Sequence, residues 1–216
     1  PPRRTRVIQT SRPRTWHLHL TPDHCTIGRH QQRTMKSAAT HRTSALTDTR
    51  RLARMLRTLR ATAPAMKVEL DHGTPWELLV ATILSAQCTD QRVNQVTPAL
   101  FRRYRDPRDY AAADVTELEA LIRPTGFFKT KAKNLIHCAK AVVETFHGTV
   151  PNTMEALTGL PGVGRKTANV LLGNAFNKPA IVVDTHVKRV AGRLHLTRHT
   201  DPDKVELDLQ RLLPRA

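Results

Sequence analysis

From about residue 48 to the end of the chain, apolar positions recur with a helical period of about 3.6. Thr74-Pro75-Trp76-Glu77 has the form of a capping box with proline at the first helical position. Trp76, Leu79, Val80 and Ile83 then fall at i, i+3, i+4 and i+7. Val93, Val96 and Leu100 continue the period in a second helix, and Asp114 to Glu117 predicts another capping box ahead of Leu118, Leu121 and Ile122. Gly126 breaks the chain. A longer helix carries Ala132, Leu135, Ile136, Ala139, Val142, Val143 and Phe146 on one stripe. Asn152 to Glu155 opens a short helix that runs into Pro161-Gly162-Val163-Gly164. Three further stripes follow: Ala168, Leu171, Leu172 and Ala175; Val187, Val190, Ala191 and Leu194; Val205, Leu209, Leu212 and Leu213. Only Ile181-Val182-Val183 reads as extended. The pattern predicts an all-α fold of many short to medium helices joined by tight turns.

Residues 1–50 break this pattern. They hold ten basic side chains against Asp23 and Asp48, are rich in Arg, Thr and Pro, and show no sustained apolar period, which predicts disorder. The chain starts with proline, and Met35 precedes a plausible lead-in. Residues 1–34 are therefore expected to be either upstream sequence or an Arg-rich, acid-poor organelle transit segment. Across all 216 residues, 35 Lys and Arg face 18 Asp and Glu, a formal net charge of +17. Such a balance points to a polyanionic partner, nucleic acid first and acidic membrane surfaces second. No apolar run approaches 18 residues, so no membrane-spanning helix is indicated. Cys25, Cys88 and Cys138 are odd in number and widely spaced, which suggests neither a disulfide framework nor a metal-ligand pair. A reducing, intracellular setting follows.

Candidate chemistry concentrates in "LPGVGRKTANVLLGNAF", residues 160–176. The loop Pro161-Gly162-Val163-Gly164 is short enough only for a hairpin between helices. Its glycines are expected to permit φ > 0 and a close backbone approach. Their N–H groups, with the helix N-terminus that follows, suit a phosphate. At 100° per residue, Lys166 lies about 170° from the centre of its helix's apolar stripe, so it points away from the packing face. A tight turn followed by a solvated lysine accounts for the same spacing. In "VVDTHVKRVAGRL", Asp184 stands at the start of a helix and reads as its N-cap. Capping fixes a carboxylate and is compatible with a catalytic role.

With "LLVATILSAQCTDQRVN", these stretches make three blocks in register. The chain from about Asp48 to Ala216 resembles the endonuclease III type of DNA glycosylase, in the helix-hairpin-helix superfamily with a Gly/Pro-rich loop and a distal aspartate. The resemblance implies a two-lobed helical fold: residues 68–178 as the hairpin lobe, and 48–67 with 179–216 as the second. It also implies base-excision repair, with removal of oxidised pyrimidines from duplex DNA and β-elimination at the abasic site. Lys166 falls on the nucleophilic lysine and Asp184 on the essential aspartate. Gln87 falls on a residue that fills the gap left by an extruded nucleotide, and Phe127 on a second wedge. Gly162, Val163 and Gly164 fall on the phosphate-binding hairpin, and Arg165 and His186 join the DNA-binding set. Lys129, Lys131, Lys133, Lys188 and Arg189 are candidate phosphate contacts that read equally well as a solvated face.

These roles are chemically coherent. A damaged base must leave the stack to be attacked, at a cost that inserted side chains offset in part. Lys166 must be neutral to attack the sugar C1′, and a helix N-terminus, the adjacent Arg165 and desolvation each favour that form. Asp184 would stabilise positive charge developing on the sugar. The expected partner is double-stranded DNA with damaged bases or abasic sites, bound by a monomer near the genome, with no membrane. The family usually carries four cysteines spaced C-x6-C-x2-C-x5-C after its last helix, which bind a 4Fe–4S cluster. Here no cysteine follows Cys138. The second lobe is therefore expected to be truncated and the chain to hold no cluster and no other metal. A monofunctional glycosylase of the same fold, and a non-catalytic helix-hairpin-helix DNA-binding fragment, remain as alternatives. Lys166 argues against the first, and Lys166 together with Asp184 against the second.

Overall fold

In the computed structural model, residues 49–62 and 69–213 are described, and the expected disorder of residues 1–47 lies outside them. Contacts divide the chain after Ala65. The described part of the first unit is one helix, α1, at residues 49–62. The second unit carries α2 (Pro75–Leu84), α3 (Asp90–Arg103), α4 (Pro107–Ala111), α5 (Val115–Ile122), a 3-10 turn (Arg123–Thr125) and α6 (Phe128–Phe146). It continues through α7 (Met154–Thr158), α8 (Arg165–Asn174), α9 (Thr185–Arg193) and α10 (Pro202–Leu212). Among the described residues every regular element is helical, as the period predicts. Residues 181–183 form no strand.

Caps fix where these helices begin. Thr74 accepts the Glu77 N–H at 3.1 Å, Pro75 opens α2, and Glu77 reaches back to the Gly73 N–H at 2.6 Å. Asp114 caps α5 through the Thr116 and Glu117 N–H groups, both at 2.9 Å. Glu117 does not complete the expected box: it takes a forked pair from Arg103 instead. Thr153, not Asn152, caps α7, because its hydroxyl accepts the Ala156 N–H. α6 ends at His147 in the left-handed region, and the Gly148 N–H closes back onto Val142 O at 3.0 Å.

α2 is central rather than one-faced. Leu78, Ala81 and Leu84 are buried along with Trp76, Leu79, Val80 and Ile83, so a single stripe understates its burial. The principal core joins it to Val93, Val96 and Leu100 of α3, Leu118 and Ile122 of α5, and Leu135, Ala139 and Val142 of α6. Ala168, Leu171 and Leu172 of α8 complete that core. A second, smaller core holds only Val183, Ala191, Val205 and Leu209 as fully buried apolar residues. Val190 and Leu212, expected on inward stripes, are 47% and 42% exposed. Two short helices cannot enclose a full stripe each.

Candidate active site

The hairpin is the turn between α7 and α8. Gly162 sits at φ +78°, and a Cβ there would meet the Asn134 side chain at 2.9 Å. Gly164 differs from the expectation of a positive φ: it is the N-cap of α8 at φ −92°, in ordinary extended backbone. Around it, a Cβ would meet nothing within 4 Å. The two glycines therefore serve different ends. Gly162 is required by the fold, whereas Gly164 leaves a gap where another molecule can approach. Val163 between them is buried in the principal core and anchors the loop. Gly164 offers no side chain to cap α8, so the first N–H groups of that helix keep no capping partner.

Lys166 stands in the first turn of α8 and is exposed, as its helical angle predicts. No Asp or Glu among the described residues forms a salt bridge with it. It lines a cleft of about 450 Å³ together with Gln87, Asp90, Thr167, Glu69 and Val182. Segment 69–71, on one wall, is pinned to α3: Asn94 donates to Glu69 O at 2.7 Å and accepts the Asp71 N–H at 3.0 Å. A second groove, of about 570 Å³, lies among residues 152–154, 178–181 and the end of α10, and is lined by none of Lys166, Asp184 and Gln87.

Asp184 is the N-cap of α9. Its Oδ1 accepts the Val187 N–H at 2.8 Å and the His186 N–H at 2.9 Å, so Oδ2 makes neither capping bond. These backbone donors hold the carboxyl below its usual range against partial burial, and the charge of Lys166 acts in the same direction. The lysine and the aspartate, eighteen positions apart, are thus brought within electrostatic reach. His186 is exposed beside them, with Nδ1 3.5 Å from an Arg189 nitrogen.

Gln87 and Phe127 are non-glycine residues in the left-handed region, at φ 53° and 48°, as are His147, Asn177 and His195. Gln87 is exposed in the turn between α2 and α3. Phe127, 66% exposed at the N-terminus of α6, is not a core residue. Strain of this kind persists where the surroundings impose it.

Two of the basic residues expected at the DNA bond within the protein. The Arg165 guanidinium gives Nε and Nη2 to Glu206 at 2.8 and 2.9 Å, so its fork is spent inside the protein. Glu206, almost fully buried, also accepts from Asn169 and Gln210. Lys131 is no phosphate contact: it is 4% exposed and donates to Leu84 O and Thr125 O, both at 2.8 Å. The sequence hint in each case is a polar residue on an apolar stripe, Lys131 below Leu135 and Glu206 beside Val205 and Leu209.

The sequence and the fold are similar to those of known proteins. Residues 80–215 match the HhH-GPD superfamily of base excision DNA repair proteins. The chain belongs to this superfamily. It is 54% identical over 166 residues to endonuclease III of Synechocystis sp., covering 76% of each protein. Among solved structures it is similar to a non-covalent endonuclease III–DNA complex, with 44% identity and a TM-score of 0.72 over 77% of this chain and 78% of that one. A trapped endonuclease III–DNA covalent intermediate is similar at 45% identity and a TM-score of 0.69, over 76% and 75%. The chain is therefore a base-excision repair protein of the endonuclease III type. Of its three cysteines, the described pair is Cys88 and Cys138, and burial pushes the Cys138 thiol up to about 12. Among the described residues no three His, Cys, Asp or Glu side chains stand together as metal ligands. No described helix is long and apolar enough to cross a membrane.

Proposed function

We propose that the protein excises oxidised pyrimidines from duplex DNA and then cleaves the strand 3′ to the abasic site, with Lys166 as nucleophile. The observation that carries this reading is an exposed Lys166, in a cleft shared with Gln87, whose charge adds to the backbone donors that hold the Asp184 carboxyl below its usual range. The covalent DNA intermediate of the endonuclease III relative supports the same step.

The hairpin amides and the uncapped start of α8 hold a phosphate without reading sequence. Gln87 and Phe127 enter the stack and offset the cost of extruding the damaged nucleotide. Lys166 is exposed in the free protein, so water is stripped from its amine only when DNA closes over the cleft. The neutral amine attacks C1′, and the base leaves with the electrons of the C1′–N bond and gains a proton. Opening of the sugar ring, with a proton passing to its oxygen, yields an imine between C1′ and Nζ. The imine acidifies the C2′ hydrogen, and loss of that proton expels the 3′ phosphate. Water then hydrolyses the imine and frees the lysine. Asp184 stabilises the cationic sugar through its negative charge. The protein acts as a monomer on damaged or abasic double-stranded DNA, wherever the cell keeps its genome.

The test is a panel of duplexes carrying an oxidised pyrimidine, an oxidised purine, an abasic site or no damage. Strand cleavage at the oxidised pyrimidine and the abasic site, abolished by Lys166→Ala, is expected. Cleavage at the oxidised purine alone would overturn the substrate assignment. Base release without strand cleavage would overturn the lyase step.

A further inference from the structure

We infer that Lys131 is a positioning residue that ties the Gln87 turn to the Phe127 loop, so that the two side chains enter DNA as one unit. Its Nζ donates to Leu84 O, the last residue of α2 and three positions before Gln87. It also donates to Thr125 O, the last residue of the 3-10 turn and two positions before Phe127. Both acceptors are helix-end carbonyls that the helices themselves leave unsatisfied. One ammonium, with three hydrogens to give, spans them. Beyond each carbonyl the chain enters a left-handed non-glycine residue, an arrangement that the surroundings must hold in place.

The cost of this choice argues for a role beyond filling the core. Lys131 shares the buried face of α6 with Leu135, Cys138 and Ala139, where an apolar side chain would pack without penalty. Burial draws its pKa down, against the nearby Cys88 thiol, which acts the other way. An amine kept at such a position is there for the two carbonyls. The inference rests on the reading of Gln87 and Phe127 as wedges, and it adds that neither works alone. If the loops are tied, withdrawing one wedge forfeits the benefit of the other.

The experiment is a mutant cycle on the opening step, followed by stopped-flow fluorescence of 2-aminopurine placed beside the lesion. Gln87→Ala, Phe127→Ala and their combination are compared in protein with Lys131 and with Lys131→Met. With Lys131 present, each single change is expected to slow opening about tenfold, and the double change no further than the slower single. With Lys131→Met, opening is already slow and the two losses multiply. The affinity of Lys131→Met for undamaged duplex, and its salt dependence, should match the parent. Losses that multiply while Lys131 is present would overturn the tie, and this arm decides even if Lys131→Met fails to fold. A shallower salt dependence in Lys131→Met would return it to the phosphate contacts. No effect of either wedge substitution would remove the wedge reading, and the tie with it.

Discussion

Replacing Arg165 by methionine tests the claim that this arginine serves the fold and not the DNA. Arg165 supplies two of the four donors on the Glu206 carboxylate, at 2.8 and 2.9 Å, and Asn169 and Gln210 supply the others at 2.9 and 2.8 Å. The two sides of the pair are unequal. The Glu206 side chain is 3% exposed, whereas that of Arg165 is 36% exposed. Losing the arginine therefore strands a buried carboxylate with two neutral donors, which is expected to cost about 3–5 kcal/mol. Glu206→Gln leaves an arginine that water can reach and turns one acceptor into a donor, at a smaller cost of about 1–3 kcal/mol. Replacing both, as Arg165→Met with Glu206→Leu, removes the buried charge and should be less destabilising than Arg165→Met alone. Against a domain stability of about 5–15 kcal/mol these differences are readily resolved by urea unfolding, as shifts in midpoint at constant m. In parallel, binding to undamaged duplex is measured across salt concentrations. The salt slope of Arg165→Met should equal that of the parent, since no phosphate contact is lost. A variant as stable as the parent, with a slope shallower by about one unit, would show that the fork meets phosphate and that the Glu206 account is wrong.

The hairpin glycines should separate cleanly. Gly162→Ala is expected to lower stability by about 1–2 kcal/mol, from its positive φ and the Asn134 contact, whereas Gly164→Val unfolds at the parent midpoint but loses affinity for damaged and undamaged duplex alike. A Gly164→Val protein that binds undamaged DNA normally would contradict this. Asp184→Asn keeps an N-cap and should unfold near the parent, while Asp184→Ala loses about 1 kcal/mol; both should lose strand cleavage, so cleavage that tracks stability would reduce Asp184 to a cap. The folded carboxyl of Asp184 titrates below its unfolded value, so its contribution to stability is complete above about pH 4 and is lost as pH falls through the lower folded pKa. In pH scans between 4 and 8, Asp184→Ala should therefore cost a constant amount, and a cost that vanishes near neutral pH would refute the assignment. Hydrogen exchange should be faster over 184–213 than over 130–176, because four fully buried apolar side chains support the second core; equal protection would count against it.

The helices and the place of Lys166 on its helix were legible because both are written in local spacing. The cap at Thr74, the stripe of α6 and the outward angle of Lys166 need only the chain's own period. What escaped was set by packing between distant segments. Glu206 lies 41 positions from Arg165, and Lys131 lies 47 from Leu84, so no periodicity predicts either bond. The same holds for Glu117, which left its capping box for an arginine 14 positions away. Gly164 escaped for a different reason. Glycine signals either a positive φ or a need for open space, and the sequence does not distinguish them. Phe127 was ambiguous as an aromatic next to a helix, and its exposure at a left-handed residue is what separates it from the core.

The most direct measurement of the central claim is the position of the covalent bond. The protein is incubated with duplex carrying an oxidised pyrimidine, the imine is reduced with borohydride, and the adduct is digested and sequenced by mass spectrometry. The deoxyribose remnant should lie on Nζ of Lys166, and Lys166→Ala should yield no adduct while still binding the duplex. A remnant on another lysine, or an undiminished adduct in Lys166→Ala, would contradict the account.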